Sequence, residues 1–200
     1  MNLSVMILAG GQSSRMGQDK ALLPIGGGSC LQCICEIGLQ CAPDVYVVTS
    51  WPDRYAPIVP AGCHLIQEIG SPRQPQGPLV GFAQGLMHVK TDWVLLLACD
   101  LPNLQFTVLQ DWIDGLATVS SEAIALLPRH EKGWEPLCGF YRRSCLSSLQ
   151  TFIQQGGRSF QQWLMQQTVQ ELPVSDRTLL FNCNTPEDWQ RAIELRQRIS

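Results

Sequence analysis

Two cations stand five positions apart behind a glycine pair near the start of the chain, in Leu8-Ala9-Gly10-Gly11-Gln12-Ser13-Ser14-Arg15-Met16-Gly17-Gln18-Asp19-Lys20. Adjacent glycines let the backbone turn tightly and leave its N–H groups uncovered by side chains, so that they can face an anion. Arg15 can grip phosphate oxygens in a two-pronged fork and Lys20 adds a compact point charge, a pair suited to a triphosphate whose charge must be held and then redistributed. Ser13 and Ser14 add neutral donors. Spelling excludes two familiar phosphate loops: Gly17-Gln18-Asp19-Lys20-Ala21 breaks the order GxxxxGK followed by Ser or Thr, and GxGxxG is absent. From composition alone, a surface turn with solvated charges fits the same cluster.

The second chemical candidate is Asp100. It follows Trp93 to Ala98, an uninterrupted apolar run of the kind a central parallel strand needs when both faces are covered. A carboxylate just past such a strand lies at the carboxyl edge of the sheet, where open α/β sheets bind ligands, and it can coordinate Mg²⁺. Capping of the turn before Leu104 is the competing role. Nine cysteines are scattered along the chain, and Cys30, Cys33 and Cys35 lack the second CxxC and the nearby histidine of a metal cluster. They are expected to be reduced, small core residues. His64, His88 and His130 share no ligand spacing.

Positioning these groups requires an α/β framework, and short apolar runs do alternate with helical periodicity. Strands are predicted at Leu3 to Leu8, Val45 to Thr49, a short one holding Leu65 and Ile66, Trp93 to Ala98, Ala123 to Leu127, and Leu137 to Tyr141. Helices are predicted at Ser29 to Cys41, Leu79 to His88, Leu104 to Leu116, Arg143 to Gln154 and Ser159 to Met165. A last helix starts at Thr185-Pro186-Glu187-Asp188, an N-cap hydroxyl, a first-turn proline and two acids. Gly26-Gly27-Gly28 reads as a turn before the first helix, and Gly70 to Pro78 as a loop.

The 200 residues, 45% hydrophobic, suit one compact domain without staples. A net charge of −3 provides no basic field for a polynucleotide, so nucleic acid is not an expected partner. No apolar run is long enough to span a membrane, and Val5 to Ala9 is too short for a signal segment and has no basic stretch before it. The expectation is a cytoplasmic protein with no membrane partner.

LAGGQSSRMGQDKALL resembles the signature LAGG-x-S-x-R-M-G-x-D-K of the molybdenum cofactor guanylyltransferases, a family of the nucleotide-diphospho-sugar transferase-like superfamily. Gly77-Pro78-Leu79-Val80-Gly81, Cys99-Asp100-Leu101-Pro102, Glu135-Pro136-Leu137 and Asn182-Cys183-Asn184-Thr185-Pro186-Glu187 follow in the family's order, so the resemblance covers nearly the whole chain. It implies a three-layer α/β/α fold with a mostly parallel, Rossmann-like sheet. The expected unit is a single nucleotidyltransferase domain, with a nucleotide-binding half at about residues 1–105 and an acceptor-side half at about 106–200.

The implied activity is transfer of GMP from GTP to molybdenum-bearing molybdopterin with release of pyrophosphate. An ionised phosphate oxygen is the nucleophile, so positioning and charge stabilisation carry the catalysis and no strong base is needed. By resemblance, Leu8, Ala9, Gly10 and Gly11 line the nucleotide. Lys20 and Arg15 contact its phosphates, Asp19 orients Lys20, and Asp100 holds Mg²⁺. Glu68 falls near a guanosine-contacting aspartate of relatives but is one methylene longer, and Gln67 can share or take that contact. Thr49 falls where relatives carry an asparagine, while Gly77 to Gly81, with Gly77, Pro78 and Leu79 as the nucleotide-binding residues, form the loop and helix start over the ribose or base. Arg158, Asn182 and Asn184 are the acceptor-side residues, with turn formation the asparagines' structural alternative.

Expected partners are GTP and the molybdopterin or molybdenum cofactor, with molybdenum cofactor biosynthesis proteins and acceptor molybdoenzymes as further partners. Rival functions are a cytidylyltransferase for the same pterin, another sugar- or alcohol-phosphate nucleotidyltransferase of the fold, and a non-catalytic nucleotide-binding module. Relatives using CTP more often read LAAG where this chain has Leu8-Ala9-Gly10-Gly11, and mere binding does not need Arg15, Lys20 and Asp100 together.

Overall fold

The structure is a computed structural model that describes residues 2–10, 18–70 and 76–199. Its centre is one seven-stranded sheet built from β1 (Leu3–Leu8), β2 (Val45–Thr49), β3 (Cys63–Gln67), β4 (Trp93–Ala98), β5 (Ala125–Leu127), β6 (Cys138–Arg142) and β7 (Val169–Glu171). The strands lie in the order β7-β5-β6-β4-β1-β2-β3. All are mutually parallel except β6, which runs antiparallel to β4 and β5.

Strand alternation builds two cores. Val5 and Ile7 of β1, Leu95 and Leu97 of β4, and Val45 and Val47 of β2 pack on one face against α1 (Cys30–Cys41) and, after β4, α4 (Phe106–Gly115). Met6, Val94, Leu96 and Val48 point the other way, toward α3 (Pro78–Leu86), α5 (Leu146–Gln154) and α6 (Phe160–Leu164). Alternate side chains of a strand face opposite sides, so the all-apolar WVLLLA run fills both cores at once. Every residue of β4 is buried.

A one-turn helix, α2 (Pro52–Tyr55), follows β2, and the chain closes with α7 (Pro186–Ile199). The three-glycine segment makes the tip of a two-stranded ribbon, Pro24–Ile25 against Gly28–Ser29, and Ser29 then caps α1 by accepting from the Gln32 N–H at 3.2 Å. A small third cluster of Leu23, Ile25, Cys30, Cys183, Trp189 and Ala192 docks α7 onto that ribbon.

The first, second and fourth strands fall on the predicted residues. The third is longer than its two-residue apolar signal because backbone pairing to β2 extends through exposed His64 and Gln67. Helix α3 starts one residue earlier than predicted, with Pro78 inside it, and ends at Leu86. The edge strand β7 has no sequence signature: Val169 and Gln170 are half-buried and Glu171 is exposed, so no alternation marks it. All nine thiols are free. Burial pushes those of Cys30 and Cys183 up to about 12, as expected of inert core thiols.

Candidate active site

Register brings the chemistry together. Leu8 pairs with Val48 of β2 and with Ala98 of β4, so the three strands end level and release Ala9-Gly10, Ser50-Trp51 and Cys99-Asp100 at one edge. Between β1 and β4 the strand order reverses, which is where open α/β sheets form ligand crevices. A cavity of about 290 Å³ opens there, lined by Leu8, Ala9, Gly10, Lys20, Asp100 and other residues named below. Gly10 has φ +153°, a backbone region that favours glycine, and a Cβ there would lie 3.7 Å from Thr49 Oγ1 and 3.8 Å from the Ser50 nitrogen.

Lys20 projects from a short 3₁₀ turn, Lys20–Leu22. Its Nζ donates to Asp100 Oδ2 at 3.1 Å and to Asn184 Oδ1 at 2.7 Å. Residues from the start, middle and end of the chain thus meet at one ammonium. The backbone N–H of Cys183 donates to the Asp100 carbonyl at 3.3 Å, which lays the Asn182–Asn184 segment across the end of β4. That segment is held from behind by a reciprocal cap: Asp188 Oδ2 accepts from the N–H groups of Asn184 and Thr185, and Thr185 Oγ1 accepts from the Asp188 N–H. These donors, with the Asn184 N–H first, hold the Asp188 carboxyl below its ordinary range.

Asp19 does not pair with the Lys20 ammonium. Its carboxylate accepts from the Ala21 N–H at 3.1 Å, from Arg54 Nη1 at 2.9 Å and from the Tyr55 hydroxyl at 2.9 and 3.1 Å. It therefore orients Lys20 through the backbone, by tying the turn that carries it to α2. Tyr55 is buried, and burial together with the Asp19 charge pushes its hydroxyl far above the usual phenol value. Arg54 also lies over the Trp51 ring, 4.8 Å from its centroid.

At the other end of the cavity Glu68 accepts from Ser50 Oγ at 2.9 Å and faces Gly81, where an added Cβ would meet the carboxyl at 3.7 Å. Glu68 lines the cavity and Gln67 does not. Gly77, at φ +86°, turns the chain into α3 and lines the cavity with Pro78, whereas the Leu79 side chain is fully buried in the core beneath. Thr49 is also fully buried. Its Oγ1 accepts from the Trp51 N–H at 3.0 Å, so it shapes the loop while its neighbours Ser50 and Trp51 supply the lining.

Arg158 is exposed, and its Nη1 donates to the carbonyls of Ile153 and Gly157 at 2.9 and 2.7 Å. Its own carbonyl lies 4.0 Å from the Cβ position of Gly77, which places it near the mouth of the cavity. Asn182 is half-buried beside Cys183. Arg15 and Gly11 lie outside the described residues, as do Ser13 and Ser14.

Gly81, at the end of the Gly77 to Gly81 segment, does line the cavity, while Ser50, Trp51, Cys99 and Leu137 are cavity residues to which the sequence assigns no role of their own. The pairing of strand ends is the available signal: each of these four except Leu137 sits just past a strand that ends beside β1. Glu135, in the Glu135-Pro136-Leu137 motif, lies close enough for the Asp100 charge to reach it. Burial raises its carboxyl above the ordinary value, while the Leu137 N–H opposes the rise.

Among the described residues, no group of three or more His, Cys, Asp or Glu could hold a metal ion. Of the carboxylates at the cavity wall, Asp19 accepts from Arg54 and Tyr55 and Glu68 from Ser50, and Asp100, its side chain 19% exposed, is the hard oxygen donor at the end of β4. That donor set does not fit a protein-only cage, and it fits Mg²⁺ shared with substrate phosphates, because Mg²⁺ is usually bound by one or two carboxylates and completes its octahedron with phosphate and water.

The family described as the MobA-like NTP transferase domain matches residues 5–171. A probable molybdenum cofactor guanylyltransferase of Nostoc sp. is 59% identical over 187 residues, covering 94% of this chain and 88% of that protein. One of Synechococcus elongatus is 44% identical over 190 residues, covering 95% and 97%. The crystal structure of molybdopterin-guanine dinucleotide biosynthesis protein A from Archaeoglobus fulgidus shares the fold, with a TM-score of 0.80 at 23% identity over 98% of this chain and 99% of that one. The strand order, the cavity at the ends of β1 and β4 and these matches lead to one conclusion: the chain belongs to the MobA-like NTP transferase family and is a nucleotidyltransferase.

Proposed function

We propose that the chain transfers GMP from GTP to molybdenum-bearing molybdopterin, forming the guanine dinucleotide cofactor and pyrophosphate. The observation that carries the reading is the meeting of Lys20, Asp100 and Asn184 at the cavity that Gly10 lines, in a chain 59% identical to a protein named for this activity. In this reading an oxygen of the terminal phosphate of the pterin attacks the α-phosphorus of GTP. The bond from that phosphorus to the oxygen bridging to the β-phosphorus breaks, and pyrophosphate leaves with the bonding pair.

The residues serve charge and orientation. Leu8, Ala9, Gly10 and Gly11 present main-chain groups to the nucleotide, and Lys20 with Arg15 neutralises charge that builds on the departing pyrophosphate. Asp100 would hold Mg²⁺, which when bound supplies Lewis-acid stabilisation of the phosphoryl oxygens. Glu68, fixed by Ser50, is the carboxylate at the base end, where it would accept from the N–H donors of guanine. Thr49 and Leu79 support that wall from within, and Gly77 and Pro78 form its rim. Arg158, Asn182 and Asn184 would meet the acceptor.

No helix among the described residues is long and apolar enough to cross a membrane. A cytoplasmic site of action goes with this reading, since free thiols throughout are what a reducing compartment keeps. Incubation with Mg²⁺, molybdenum-bearing molybdopterin and each of the four NTPs tests the assignment. Pyrophosphate should be released with GTP; a preference for CTP would replace guanylyl by cytidylyl transfer.

A further inference from the structure

Asn184 belongs to the acceptor side of the proposed reaction, yet its side-chain carbonyl is spent on Lys20, the cation on the nucleotide side, at 2.7 Å. The contact joins residues 164 positions apart. It is built rather than incidental. Cys183, fully buried, anchors the segment in the small α7 cluster, and its N–H is tied to the Asp100 carbonyl. The Asn184 N–H is tied to Asp188. The backbone on both sides of the Asn184 side chain is therefore fixed before any substrate arrives.

We propose that Asn184 is a positioning residue for the nucleotide: it holds the Lys20 ammonium at the cavity wall in the orientation that meets the triphosphate, and so links occupancy of the acceptor side to the grip on the nucleotide. Asp100 cannot serve Lys20 and a divalent cation at full strength at once, because both draw on one carboxylate. Asn184 keeps the ammonium in place when that carboxylate is needed elsewhere. Lysine has four rotatable bonds, and a lysine already held loses less freedom on meeting phosphate than one that sweeps the solvent. An acceptor that hydrogen-bonds the Asn184 amide acts on the same Lys20 contact, which gives the enzyme a way to sense both substrates through one side chain.

The inference rests on the nucleotidyltransferase reading, and its test separates the two. Binding of Mg²⁺–GTP without acceptor is measured by calorimetry for the wild type, Asn184→Ala, Lys20→Met and the double variant. Asn184→Ala leaves the Thr185–Asp188 cap and the Cys183–Asp100 bond intact, since both use atoms it does not remove. It should bind GTP about three- to tenfold more weakly, the loss expected from releasing part of a lysine's rotamer freedom. In the Lys20→Met background the same substitution should change nothing, and its melting temperature should match the wild type. GTP binding by the wild type that Asn184→Ala leaves unchanged, or a loss that persists in full without Lys20, overturns the positioning role alone. Failure of the wild type to bind any NTP overturns the nucleotide reading and this inference with it.

Discussion

Asp19 and Lys20 are neighbours in sequence with different work to do, and replacing each in turn separates scaffold from chemistry. Asp19→Ala removes the acceptor of the buried Tyr55 hydroxyl, of the Ala21 N–H and of Arg54. The exposed Arg54 contact contributes little, at most about 1 kcal/mol. A hydrogen bond to a charged acceptor is worth about 1.5–3 kcal/mol, and a buried hydroxyl left without a partner costs about 1–3 kcal/mol. These overlap for Tyr55, so the expected loss is about 3 kcal/mol, or about 6–12 °C of melting temperature for a chain of this size.

Lys20→Met should behave in the opposite way. It removes the phosphate-facing charge with little change in melting temperature, and turnover should collapse. Thermal unfolding of the two variants, with Tyr55→Phe and the Asp19→Ala/Tyr55→Phe double variant, checks the division. Tyr55→Phe removes the stranded hydroxyl, so the double variant should lose less than the sum of the singles. Wild-type melting of Asp19→Ala, or full additivity with Tyr55→Phe, would refute the scaffold role.

Two further outcomes follow from the site. Asp100→Ala should abolish turnover and keep the melting temperature within about 2 °C, because the residue's structural bond to Cys183 runs through its carbonyl; wild-type rates would remove the metal role. Glu135 has a folded value raised above its ordinary 4.5 mainly by burial, with the Asp100 charge adding to the rise and His130 Nε2 3.8 Å away. The folded state therefore holds this proton more tightly, and stability falls as pH rises from 4.5 through the raised value. Glu135→Gln should be more stable than wild type to urea at neutral pH, with the advantage vanishing below pH 4.5, and a difference independent of pH would contradict it.

Much of the frame was legible because the sheet is central and both its faces are covered. Leu3–Leu8, Val45–Thr49 and Trp93–Ala98 announce themselves as apolar runs, and the last of them points directly at Asp100. The α7 start was legible too, since a reciprocal cap is a local pattern, and Thr185 and Asp188 do bond each other's backbone. Contacts made across the fold leave no such trace. Nothing near Asp19 in the chain signals that Tyr55 lies over it, and nothing near Lys20 signals Asn184. Thr49 shows the matching error of one residue: strand alternation turns it into the core and hands the cavity to Ser50. β7 leaves no trace because a three-residue edge strand with two half-buried residues and one exposed has no periodicity to read.

In the proposed reaction GMP, and not another part of the nucleotide, moves to the pterin. GTP labelled with ³²P at either the α or the γ position, incubated with Mg²⁺ and molybdenum-bearing molybdopterin, tests it directly. The α label should appear in the pterin product and the γ label in pyrophosphate, with neither transferred by the Lys20→Met or Asp100→Ala variants. A γ label on the pterin, or an α label that transfers from CTP in preference to GTP, would contradict it.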